Sequence, residues 1–297
     1  MEWKNLPRLG TQVGIGFVVW LVILDVLLLW IATQLPVSII TFVLAVIVLV
    51  TVPLILLIIY WLVGLNRALY SLDRNMLTIR WGPVQQVIPM SSIHHVLHGS
   101  EIAGLVQRFR GGRWPGLWVG QAEVKGIGPT LFHASGGPDQ QVIIVTPGLA
   151  YAISPDDLAG FVEAFDQRQK MGPTQPVEQV SIRPEIFDWP LWTDRLALGL
   201  VGAAVVGCLL LFSYTCWRFP ELAPRIALHF DAAGVPDRFG LRAQVFFLPF
   251  IGLLSLGANL VVGLPVYLRD RVGAYLLWGG AIIVQILAWI AAVGIVG

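Results

Sequence analysis

The sequence predicts a membrane α-helical protein: five transmembrane helices with an inserted small β-barrel capped by one α-helix. Three observations carry this expectation. Of the 297 residues, 56% are hydrophobic and 12% are charged, whereas a soluble domain carries about 25% charged residues. Five apolar runs are each long enough for a bilayer core of about 30 Å, which takes about 20 helical residues. Between the second and third runs, from about Asn66 to Asp194, the chain turns polar and breaks into short β-type segments. The net charge of +1 argues against a basic nucleic-acid binder and against disorder. Two cysteines are too few for a disulfide scaffold.

The first span runs from about Gln12 to Ala32 and the second from about Val37 to Leu65. A few residues around Gln34 to Val37 join them, so residues 1–65 are expected to form a hairpin. The first apolar run is longer than a signal-peptide core and no A-x-A site follows it, so it is expected to be retained. Pro53 is a natural kink point in the second span. The third span covers about Leu196 to Trp217, the fourth about Val245 to Leu264 and the fifth about Val272 to Val296, within a three-helix domain over 195–297. With the N-terminus inside, Lys4, Arg8, Arg67, Arg74, Arg183, Arg195, Arg269 and Arg271 are cytoplasmic. Arg218, Arg225, Arg238 and Arg242 are then outside. Cytoplasmic excess of Lys and Arg favours this orientation. Tyr60, Trp61, Trp189, Trp192, Tyr214, Trp217 and Trp278 near the span ends are expected as interfacial anchors.

Polar groups within spans carry the next expectations. Asp25 lies mid-span, where a carboxylate costs about 2.5–3.5 kcal/mol on insertion scales. It reads either as a proton or cation relay or as a neutral carboxyl bonded to a neighbouring helix. Gly199, Ala203 and Gly207 recur every four residues, as do Ser255, Asn259 and Gly263, which predicts close helix packing. Asn259 and Gln285 are expected to hydrogen-bond across the bundle. Cys208 and Cys216 are about 12 Å apart along one helix, too far for a disulfide.

The polar middle reads as strands over Ala68 to Leu72, Met76 to Trp81, Val84 to Ile88, Ile93 to Leu97, Leu117 to Val124, Thr130 to His133, Gln141 to Val145 and Leu149 to Ile153. An N-cap at Ser154, Pro155 at the first helical position and Asp157 three residues on predict a helix start. Leu158, Phe161, Val162 and Phe165 give its apolar face, and Gly172 and Pro173 its end. Residues 172–194 are expected to be a linker and interfacial segment, with Phe187, Trp189 and Trp192 re-entering the interface.

This middle domain, 66–171, resembles the bacterial pleckstrin-homology (PH) domains of membrane proteins. The resemblance rests on Leu77-Thr78-Ile79-Arg80-Trp81-Gly82, Ile88-Pro89-Met90-Ser91-Ser92-Ile93, Arg113-Trp114-Pro115-Gly116-Leu117-Trp118-Val119-Gly120 and Ile143-Ile144-Val145-Thr146, closed by Ile153-Ser154-Pro155-Asp156. It implies an interaction domain. The loop 218–243 resembles a second family through Ile226-Ala227-Leu228-His229-Phe230-Asp231 and Gly234-Val235-Pro236-Asp237-Arg238-Phe239-Gly240. That pattern is similar to a domain of unknown function shared with SdpI-type toxin-immunity membrane proteins, where it also joins two spans. The chain departs from them in lacking a six-span body and in carrying the PH-like insert.

Candidate sites follow. His229 and Asp237, with Pro224, Phe230, Gly234 and Pro236, form a candidate recognition loop. An imidazole beside a carboxylate serves acid–base chemistry, metal ligation or a pH switch, or braces a turn. No Ser or Cys nucleophile stands in the loop. Arg108, Arg110 and Arg113 crowd a Gly-rich segment and are candidate contacts for anionic lipid or a partner. Nine basic against eight acidic residues between Arg67 and Lys170 give no strong basic face. His94, His95 and His98 lack the cysteines or carboxylates that would complete a zinc shell, so no metal site is expected. No P-loop, dinucleotide fingerprint, HExxH or GxSxG occurs. The expectation is a non-enzymatic, cofactor-free multi-pass protein of the bacterial cytoplasmic membrane. It would work in sensing, immunity or scaffolding, with membrane lipids, a protein partner or a second copy of itself as partners and no nucleic acid. The alternative is an ion- or solute-coupled transporter using Asp25, Asn259 and Gln285.

Overall fold

The computed structural model describes every residue except Pro7, Ala232 and Gly297, and leaves the side chain of Phe187 undescribed. In chain order the elements are β1 (Glu2–Lys4), α1 (Arg8–Gln34), α2 (Ile39–Asn66), β2 (Leu69–Leu72), β3 (Met76–Trp81), β4 (Val84–Pro89), β5 (His95–His98) and α3 (Gly99–Ile102). They continue with β6 (Val106–Trp114), β7 (Leu117–Val124), β8 (Gly128–Ala134), β9 (Val142–Thr146), β10 (Leu149–Ile153), α4 (Leu158–Met171) and β11 (Val180–Ile182). The last part holds α5 (Arg195–Arg218), β12 (Arg225–Phe230), β13 (Pro236–Leu241), α6 (Phe247–Tyr267) and α7 (Arg271–Val296). Five of the helices, α1, α2, α5, α6 and α7, are long and apolar enough to cross a membrane. Two compact units divide the chain: Met1–Leu24 with Thr51–Glu185, and Asp25–Val50 with Ile186–Gly297.

In the first unit the strands form two sheets, ordered β1-β2-β3-β4-β11 and β5-β9-β10-β8-β7-β6. Their shared core joins Tyr70, Leu72, Leu77, Ile79 and Ile88 of one sheet to Val142, Ile144, Tyr151 and Ile153 of the other. Phe161 and Phe165 of α4 close it. The capped β architecture is therefore present, built as two hydrogen-bonded layers. Its helix starts one turn later than Ser154 implies. Asp157 is the N-cap, its carboxylate accepting from the Gly160 N–H at 2.9 Å. Ser154 is buried and accepts from the Gly136 N–H instead.

In this unit three strands lie where none is expected. β1 pairs with β2. β11 sits in the expected linker and pairs with β4. β6 replaces the expected Gly-rich loop. Gly111 and Gly120 face each other across β6 and β7 at φ 139° and 150°. A Cβ on Gly111 would lie 2.2 Å from the Val119 carbonyl oxygen. These glycines serve a close strand crossing rather than a loop.

The β6–β7 hairpin tip is seated on the bases of α1 and α2. The Trp114 indole N–H donates to the Gly10 carbonyl at 3.0 Å. Leu117 is fully buried among Leu21, Ile58, Leu62 and Leu65. Gly116, at φ 83°, touches the Gly10 backbone so closely that a side chain would not fit.

In the second unit α5, α6 and α7 pack through small residues: Ala197, Ala204, Ala281, Ala288 and Ala292 are buried. Of the predicted Gly199–Ala203–Gly207 stripe, Gly199 and Ala203 are exposed, because the packed face of α5 is Ala197, Ala204, Cys208 and Leu211. Gly207 does meet α7, its carbonyl accepting from the Trp289 indole N–H. Trp278 is 1% exposed and stacks on Tyr267. It packs inside the bundle rather than anchoring at its surface, because Gly263 opens a slot for its ring.

Candidate recognition site

The segment between α5 and α6, expected as a loop with a tight turn, is a two-stranded antiparallel hairpin, β12–β13. Its turn follows from Asp231 and Gly234. The Asp231 carboxylate accepts from the N–H groups of Ala233 (2.9 Å) and Val235 (2.8 Å). Gly234 takes φ 77°, which a side chain would disfavour. At the base the Arg242 N–H donates to the Pro224 carbonyl.

One face of the hairpin is packed. Ile226 and, beside it, Leu228 meet Val245, Phe246 and Val296. Gly240, opposite Ile226, lies so close to Leu228 and Gln244 that a Cβ there would clash. The opposite face carries Phe239, paired with Ala227, and Leu241, paired with Arg225. These side chains are 63% and 64% exposed. Farther toward the turn, register shifts on either side of His229 bring it to Asp237. Its Nδ1 lies 2.6 Å from the Asp237 Oδ1. Both are largely exposed, at 65% and 48%. Phe230 and Pro236 pair nearest the turn, both exposed. His229, Phe230, Gly234, Pro236 and Asp237 therefore share one hairpin, with Pro224 at its base. Phe239 and Leu241, which complete its open face, are additions from the structure. Their signal in the sequence was alternation, apolar at 239 and 241 with Gly240 between them.

The other candidates are dispersed. Arg108 and Arg110 line a pocket of about 240 Å³ with Gln121, Ala122 and Glu123. Arg113 is separate, its guanidinium 3.7 Å above the Trp118 ring. His95 and His98 lie on β5 and His94 just before it. Asp25 is buried in mid-α1. Asn259 does not bridge the bundle as expected: its amide donates to the Ser255 carbonyl one turn back on its own helix. Gln285 does bridge, donating from α7 to the Gly252 carbonyl of α6 at 2.9 Å.

A polar knot joins the three helices at their other end. Asp194 caps α5, its Oδ1 accepting from the N–H groups of Leu196 and Ala197. Its Oδ2 accepts from the hydroxyls of Tyr267 (2.8 Å) and Tyr275 (2.5 Å). The Tyr275 hydroxyl first, then the Ala197 N–H and the Tyr267 hydroxyl, hold the Asp194 carboxyl down at about 2. Sequence reasoning placed Asp194 at the end of a linker and missed this cluster, since its partners lie 73 and 81 residues away.

Residues 68–169 match a family model described as a bacterial PH domain. Residues 206–253, from mid-α5 through the hairpin into α6, match a domain of unknown function, DUF1648. No curated protein and no solved structure matches the chain. The chain is a membrane protein that carries a PH-like domain and a DUF1648 segment.

Proposed function

We propose that the chain is a non-enzymatic sensor or scaffold of the bacterial cytoplasmic membrane. In this reading the β12–β13 hairpin faces outside and engages a protein or peptide, and the PH-like domain engages a partner in the cytoplasm. One observation carries the reading. Phe239 and Leu241 are exposed beside the His229–Asp237 pair on the face opposite the packed one. Apolar side chains held open on a braced hairpin mark an interaction surface. The excess of Lys and Arg on the PH-like side supports the orientation. Likeness of the loop to SdpI-type immunity proteins supports a peptide as the ligand class. Transport is less well supported, since the side-chain N–H groups of Asn259 and Gln285 donate to backbone carbonyls.

The test is site-specific photo-crosslinking in intact cells, with a benzoylphenylalanine at Phe239. A discrete protein or peptide adduct that disappears in His229→Ala and Asp237→Ala is the expected result. Crosslinks to lipid alone, or adducts indifferent to both substitutions, would reduce the pair to a brace.

A further inference from the structure

A second surface lies in the PH-like domain, and it rests on geometry independent of the hairpin. On β6, Gly112 sits against the membrane helices: a Cβ there would lie 2.7 Å from the Trp61 ring of α2. Exposed Ile59 and Val63 flank Trp61, and Trp61 stands near the end of the candidate span Ile39–Asn66. Trp61 is the kind of residue that marks such a boundary. Arg110 is two residues from Gly112 with unbroken pairing between them, so both point to the same face of the sheet. At about 3.4 Å per residue, Arg110 stands about 7 Å along the strand from the Trp61 contact. Arg108, at φ 48° beside a register shift, turns into the same pocket of about 240 Å³.

Both arginines are exposed. Among the described residues neither forms an ion pair, although Glu123 lines the same pocket. Two unpaired guanidiniums beside a bilayer boundary match the phosphate of a lipid headgroup, which arginine binds in a planar, two-pronged fashion. We propose that the Arg108–Arg110 pocket is a headgroup site for an anionic phospholipid of the membrane that holds the chain. Arg113, also an early candidate, has no part in it. It falls on the opposite face, stacked on Trp118.

Native mass spectrometry of the full-length chain, with phosphatidylglycerol and phosphatidylcholine supplied together, tests this site. The wild-type chain should retain phosphatidylglycerol preferentially. Arg108→Gln and Arg110→Gln should each weaken that retention about fivefold, as expected for a basic residue near an anionic surface. Arg113→Gln should leave it unchanged, and Glu123→Gln, which removes a carboxylate lining the pocket, should strengthen it. Equal retention of the two lipids by the wild type would overturn the proposal. So would retention that survives both pocket substitutions or falls equally in Arg113→Gln.

Discussion

Asp194 accepts four hydrogen bonds with two oxygens, and two of them come from other helices. Its carboxyl sits at about 2 against an ordinary value of 3.8. A carboxyl depressed in the folded state stabilises folding above its unfolded pKa, and that contribution fades as pH falls from about 4 towards 2. Asp194→Asn should therefore lower the unfolding midpoint in detergent at neutral pH, with the gap from wild type closing near pH 2. His133 behaves in the other sense of charge. It is buried against Trp81, and burial lowers its pKa from 6.5 to about 4. Below pH 6.5 the unfolded chain takes up a proton that the folded chain refuses, so stability falls between pH 6.5 and 4. The loss approaches about 3 kcal/mol at 1.36 kcal/mol per unit. His133→Phe should flatten that part of the pH–stability curve. An N-cap is legible in a sequence because it acts within one turn. The tyrosines on Asp194 and the burial of His133 were not, because they depend on residues distant in the chain.

The five spans were legible as elements, since length and hydropathy alone decide them. Which face of each span packs was not. In lipid both faces of a helix are apolar, so the amphipathic signal that orients a soluble helix is missing. For α5 the four-residue repeat Gly199–Ala203–Gly207 points to one face, whereas the buried residues are Ala197, Ala204, Cys208 and Leu211 and of the repeat only Gly207 meets α7. Ala204→Leu should cost about 1–3 kcal/mol by overpacking, while Ala203→Leu, on an exposed position, should be close to neutral. Melts of the two variants in one detergent decide between the faces. β6 was misread for a related reason. Glycine punctuates loops more often than strands, and here Gly111 and Gly112 make room for Val119 and Trp61. The β12–β13 hairpin was read only as a turn, because Pro236 and the register shifts mask its alternation.

At the scale of the whole molecule, the order of elements was legible: two span-length helices, a β region matching a bacterial PH model, then three more span-length helices. The motifs that mark the PH-like domain lie on β3, β4, the end of β6, β7, β9 and β10. The seating of the β6–β7 tip on α1 and α2 was not legible, as it needs Trp114, Gly10 and Leu65 brought together from three parts of the chain. The proposed function requires that the hairpin and the PH-like domain face opposite sides of the membrane. Sidedness tests this requirement most directly. Cys208 and Cys216, both buried and free, are replaced, and single cysteines are placed at Gly137 and at exposed Ala233. A cysteine side chain at Gly137 meets nothing within 4 Å. Intact cells are then treated with an impermeant maleimide. The account predicts that the cysteine at 233 is labelled and that the one at 137 is labelled only after lysis. Labelling at 137 in intact cells, with 233 protected, would contradict the account and make the PH-like domain the outward module.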